Sequence, residues 1–122
     1  RDGMDTSRWN RLHPGEEMKT SWVETQFADG DSPIIAVSDN MAAVPEMIRE
    51  WIHAPYTVLG TDGFGRSDTR TALRRFFEID GESVALAALS SLVRAGTMEA
   101  SVYDEVMKSF GVSTERPDIT RL

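Results

Sequence analysis

Two short apolar runs limit this chain more than anything else in it: PIIAV at residues 33–37 and YTVLG at residues 56–60. Each is rich in β-branched residues and neither alternates polar with apolar. A strand of that kind is covered on both faces, as in a parallel sheet. Between them lie a turn, SDN, and the segment VPEMIREWIHAP, in which Val44, Met47, Ile48, Trp51 and Ile52 fall on one helical face. Pro45 is tolerable there because it sits in the first turn. Strand, helix and strand with a crossover of this length predict a βαβ unit, right-handed by the usual rule.

The flanks read as helices. DTSRWNRLHPG predicts a short helical turn ended by Pro14, with Thr6 or Ser7 as cap. EEMKTSWVETQFADG predicts a helix with Met18, Trp22, Val23 and Phe27 along one stripe, Glu16 and Glu17 in its first turn and Gly30 at its end. Three helices follow the second strand. SDTRTALRRFFEI has Ser67 as its natural cap and Leu73, Phe76 and Phe77 as its apolar face. DGESVALAALSSLVRAG is capped by Asp80 and ended by Gly96, with SVALAAL as a less favoured third strand. MEASVYDEVMKSFG repeats Val102, Val106 and Phe110 every four residues, and STERPDITRL follows as an extended tail. Two strands are too few for so many helices, because a parallel sheet buried on both faces normally has more. The expectation is the later part of an α/β domain whose early strands are missing, and the lack of a starting methionine points the same way.

Composition removes several function classes. A net charge of −7 and a pI near 4.7 oppose binding to a polyanion such as nucleic acid. With no cysteine there are no disulfides, no thiolate nucleophile and no cysteine-bound zinc. No apolar stretch approaches the roughly 20 residues of a membrane span, and RDGMDTSRWN lacks the apolar core of a signal peptide.

The chemistry-bearing candidate is GTDGFGRSDTR at residues 60–70, at the carboxyl end of the second strand, where open α/β sheets place ligands. Its glycines run G-x-x-G-x-G, which is neither the dinucleotide fingerprint nor a P-loop. Asp62 and Asp68 oppose a phosphate, and Arg66 and Arg70 could either offset them or simply pair with them. The simpler reading is a turn whose glycines supply positive φ and whose Ser67 starts a helix. His13 and His53 have no second histidine or cysteine at ligand spacing, and no G-x-S-x-G elbow is present. Trp22 and Trp51 lie on stripes that read as core, which leaves Trp9 as the least constrained tryptophan and a candidate to face a partner.

YTVLGTDGFGRSDTRTALRRFFEID, followed by SVALAALSSLVRAG, resembles the C-terminal domain of the homodimeric, thiamine-diphosphate-dependent pyruvate dehydrogenases of bacterial pyruvate dehydrogenase complexes, and RDGMDTSRWNRLHP is similar to the matching part of that domain. The likeness covers essentially the whole chain, with LGTDGFGRSD as its most specific string. It implies that residues 1–122 are the later part of one transketolase C-terminal-like domain, a partial three-layer α/β/α fold with a mostly parallel sheet. It also implies a structural and dimerising role in a cytoplasmic oxidoreductase that decarboxylates pyruvate and acetylates the lipoyl group of the dihydrolipoyl acetyltransferase component. Partners would be the rest of the chain, a second subunit and that acetyltransferase, with neither nucleic acid nor membrane among them. Thiamine diphosphate and magnesium would belong to other parts of the parent. The family's cofactor motif begins Gly-Asp-Gly and ends in asparagine about thirty residues on. Here TDG at 61–63 lacks the first glycine, and the asparagines, Asn10 and Asn40, both lie upstream. No catalytic, cofactor-binding or metal-binding residue is therefore carried over, and the segment alone is expected to be inactive. The competing expectation is a stand-alone acidic binding module that uses the Gly60–Ser67 loop for a small ligand or a protein partner. The incomplete-looking core predicts exposed apolar faces and self-association.

Overall fold

The computed structural model describes residues 1–28 and 30–115. Strand β1 (Ile34–Val37) and strand β2 (Tyr56–Leu59) pair in parallel, in the register Ile34 with Tyr56 through Val37 with Leu59. Among the described residues they form a two-stranded sheet, so each strand has one edge that pairs with no other strand. Among the described residues six α-helices accompany them: α1 (Asp2–Leu12), α2 (Trp22–Gln26), α3 (Ala43–Glu46), α4 (Arg70–Phe76), α5 (Gly81–Arg94) and α6 (Ala100–Phe110). The mixture is the partial α/β architecture expected from the two apolar runs. The tail assigned to 113–122 lies outside the described residues from position 116 onward.

The N-terminal helix is longer than its sequence indicated. It begins at Asp2, with Asp2 and Asp5 in the first turn and no side-chain cap at Arg1, so Thr6 and Ser7 lie inside it rather than capping it. Tertiary contact explains the extension. Gly3 is buried against the Trp51 ring, and the Trp51 indole N–H donates to the Ser7 hydroxyl at 3.1 Å.

The second helix is shorter. Residues 16–20 are not helical, because the Asn10 side chain accepts from the Lys19 N–H and donates to the Lys19 carbonyl, both at 2.9 Å, removing those groups from any helical ladder. Ser21 then closes a capping box with Glu24, which fixes the start of α2 at Trp22. The Trp22 N–H donates to Asp2 at 2.6 Å and ties α2 to α1. The Met18–Phe27 stripe is not core: Met18 is 76% and Trp22 66% exposed.

The crossover is also broken. After α3, a 3₁₀ turn over Arg49–Trp51 replaces the continuous helix. The Pro45 carbonyl takes the N–H of Ile48, three residues on, and also the Tyr56 hydroxyl at 2.8 Å, which tightens the chain there. Arg49 is held by Glu46 and by the Tyr56 carbonyl at 2.9 Å. Ile52 is buried, while Met47 is exposed.

Helices α5 and α6 follow their sequence signals closely. The Asp80 carboxylate caps α5 by accepting from the Ser83 N–H at 2.9 Å. SVALAAL is helical, and Leu86 on its inner face is buried. Helix α5 packs on α6 and on β1. Gly111, at φ 62°, ends α6 in the left-handed conformation. Arg75, on the last turn of α4, donates to Asp80 at 3.2 Å, to Glu82, and to the Phe110 carbonyl of α6 at 3.2 Å. One guanidinium thus joins three helices. The shared core remains thin, and the chain exposes 8830 Å² of surface, against about 6,600 Å² for a compact monomer of this mass.

Candidate functional site

The turns that leave β1 and β2 are knitted together at the carboxyl end of the sheet. The Thr61 N–H donates to the Asn40 carbonyl at 2.9 Å, and its hydroxyl donates to the Asp39 carbonyl at 3.2 Å. In return, the Ala42 N–H donates to the Asp62 carboxylate at 3.0 Å. Gly60 makes this approach possible, since a Cβ there would lie 2.5 Å from the Ala42 nitrogen and 2.8 Å from its Cα. Of the three glycines expected to supply positive φ, only Gly63 does, at 119°. Gly60 is required for proximity, and Gly65 faces open space. Ser67 is not the cap of α4. Thr69 is, accepting from the Ala72 N–H at 3.2 Å, while Asp68 holds the Thr69 N–H at 2.7 Å and keeps the preceding residues out of the helix.

These turns and α4 enclose an open cavity of about 520 Å³. Arg66, Arg70 and Arg74 border it, with Asp39 and Asp68 opposite in charge. Leu73, Phe77 and Ile79 supply apolar wall. Among the described residues none of these five charged groups is in an ion pair, although the Arg66 guanidinium stands 4.3 Å above the Phe76 ring centre. Sequence reasoning found Arg66, Arg70, Asp62 and Asp68. It missed Arg74, whose signal was its i, i+4 spacing from Arg70 on a helix. It also missed Asp39 and did not foresee that Asp62 is spent on Ala42.

The other candidates are dispersed. His13 stacks on Trp9 at 4.3 Å between ring centres, with its Nδ1 2.8 Å from the Trp9 carbonyl, and the Lys19 ammonium lies 3.8 Å from the Trp9 ring centre. Trp9, expected to be the unconstrained tryptophan, is instead half-buried and engaged within the chain. His53 is exposed, with Nε2 3.4 Å from the Glu24 carboxylate. The Ser21 N–H, and then its hydroxyl, hold the Glu24 carboxyl below its ordinary value, with a further small contribution from His53. The structure assembles no serine–histidine–carboxylate constellation around either ring among the described contacts.

The carboxylate of TDG is committed to a backbone N–H, and among the described residues no three acidic or histidine side chains gather where they could hold a metal ion. Among the same residues no helix is long and apolar enough to cross a membrane.

Comparison with known proteins bears on the whole chain. Over 117 residues it is 47% identical to the pyruvate dehydrogenase E1 component of Pseudomonas aeruginosa, covering 95% of this chain and 13% of that protein. With the protein of the same name from Mycolicibacterium smegmatis the identity is 46% over 112 residues, covering 92% of this chain and 12% of the other. With that of Escherichia coli it is 38% over 117 residues, covering 95% and 13%. The chain thus spans about an eighth of the length of the curated relatives it matches. The model of the transketolase-like TK C-terminal domain matches residues 8–80, which include both strands, the crossover, the knitted turns and α4. A parallel strand pair with its glycine turn, matched through most of the chain by that model, makes this protein a member of the transketolase-like C-terminal domain family.

Proposed function

We propose that residues 1–122 are the later part of one transketolase-like C-terminal domain and act as a structural and subunit-pairing segment of a pyruvate dehydrogenase E1 component. The observation that carries this reading is the 47% identity over 95% of the chain to a protein of that name. The parent enzyme would decarboxylate pyruvate and pass the acetyl group to a lipoyl group of the acetyltransferase component, in the cytoplasm. Thiamine diphosphate and magnesium would supply the carbanion chemistry from a site outside this segment. Its own residues then hold no catalytic role, and its partners are the remainder of the enzyme and a second subunit.

Two features of the structure support a role inside a larger assembly. The surface exceeds that of a compact monomer by about a third. Large apolar side chains, Met18, Trp22, Met47 and Phe64 among them, stand in solvent, which is the surface expected of a segment that packs on something else. Calorimetry of the 122-residue chain with thiamine diphosphate and magnesium tests the division of labour, with no binding expected. Tight magnesium-dependent binding would overturn it. The pairing role is tested by exchanging this segment into the Pseudomonas aeruginosa relative. The chimera should match the oligomeric state of the unmodified relative, and a folded chimera that sediments at a smaller mass would refute it.

A further inference from the structure

We infer that the cavity between the knitted turns and α4 binds a small organic monocarboxylate with an apolar body. Three guanidinium groups and two carboxylates border it, and none of the five is in an ion pair among the described residues. The cavity therefore carries a local surplus of one positive charge in a chain whose net charge is −7. That surplus matches one anionic group, while Asp39 and Asp68 repel a second negative charge, which disfavours phosphate. Asp62 is not among the residues that line the cavity, and its carboxylate accepts the Ala42 N–H on the side of the β1 turn.

The donor set also favours a carboxylate. Arg70 and Arg74 are four residues apart on α4 and so rise from one side of the helix. A guanidinium presents a planar fork that matches the two oxygens of a carboxylate. Leu73 and Phe77 provide the surface against which the rest of such a ligand would lie. The volume of about 520 Å³ falls in the range of small-molecule sites, and the position, outside the carboxyl ends of parallel strands, is where open α/β sheets bind ligands. The inference stands on the cavity and does not depend on the enzyme reading above.

The test uses 4-bromobenzoate as probe, the uncharged 4-bromobenzamide as isostere and inorganic phosphate as the dianionic competitor, each titrated by calorimetry into the full chain. An open site and so small a ligand give an expected Kd of about 1 mM for the acid. The amide and phosphate should bind at least about tenfold more weakly. Bromine anomalous scattering from a soaked crystal should place the acid between Arg70, Arg74 and Phe77. The double variant Arg70→Ala/Arg74→Ala keeps good helix formers on an exposed face and should fold normally by circular dichroism. It should weaken the acid about tenfold or more, while Arg70→Lys/Arg74→Lys, which retains charge without the fork, should fall between. Absence of calorimetric binding, bromine located elsewhere, equal affinity for the amide, or phosphate binding more tightly than the acid would each overturn the inference.

Discussion

Replacing Gly60 by alanine tests the claim that the two strand-end turns are locked together by close approach. The new Cβ would stand 2.5 Å from the Ala42 nitrogen, 2.8 Å from its Cα and 3.0 Å from its Cβ. Two of those are backbone atoms, so no rotamer change relieves the clash, and the turns must separate by about 1 Å to restore ordinary contact distance. Overpacking of this kind costs about 1–3 kcal/mol. Separation also stretches the Thr61–Asn40 and Ala42–Asp62 hydrogen bonds, each worth about 1 kcal/mol when fully kept. Alanine stiffens the unfolded chain and returns about 0.4–1 kcal/mol. The net expectation is a loss of about 2–3 kcal/mol. With an unfolding entropy of about 2.1 cal/mol/K per residue over 122 residues, that loss lowers Tm by about 8–12 °C. Urea unfolding followed by tryptophan fluorescence measures it, with Gly65→Ala as the paired control. Gly65 has nothing within 4 Å of a built Cβ and no positive φ, so its alanine variant should be neutral or slightly stabilising. A Gly60→Ala protein within about 0.5 kcal/mol of the parent, or a Gly65→Ala protein as damaged as Gly60→Ala, would refute the proximity argument.

Ser21→Ala should cost about 1 kcal/mol in the same assay, since the fully buried Ser21 caps α2 through the Glu24 N–H and alanine cannot. Gly3→Ala places a Cβ 2.5 Å from the Trp51 ring; it should destabilise by about 1–3 kcal/mol and red-shift tryptophan emission as α1 lifts away. The Asp80 carboxyl feels burial, which pushes it up, but the Ser83 hydroxyl and N–H and the Arg75 guanidinium outweigh that and hold it below the ordinary 3.8. A lowered folded value means that its stabilising effect is full above 3.8 and is lost as pH falls toward the folded value. Urea midpoints should therefore drop with acidification below that point, and the drop should be smaller in Asp80→Asn; an unchanged pH slope would contradict the assignment.

The strands and the last two helices were legible because each is specified by local chemistry that tertiary contact does not override. PIIAV and YTVL have no helical alternative of adequate length, Asp80 and Gly96 bracket α5, and Gly111 ends α6. The errors arose where a distant group captured a backbone atom. Asn10 takes both polar groups of Lys19, and Tyr56 takes the Pro45 carbonyl, so periodic apolar spacing at 16–27 and 44–52 did not become continuous helix. Ser67 lost the cap to Thr69 because Asp68 turned the chain first. At the candidate site, the residue types of the loop were visible, but the meaning of Asp62 and Gly60 depends on the turn after β1, which no spacing within 60–70 encodes.

Arg75 shows how a charge-preserving replacement can be anything but conservative. Its guanidinium reaches Asp80, Glu82 and the Phe110 carbonyl at once, linking positions separated by 35 residues. A lysine would keep the charge but offer a single compact ammonium on a flexible stem, unable to span those directions together. The acidic contacts, five and seven residues away, are near enough to be kept, so the bond to α6 would fail first. The shape of the side chain, and not its charge alone, holds these three elements together, and a substitution score that weighs only charge would misjudge a replacement here.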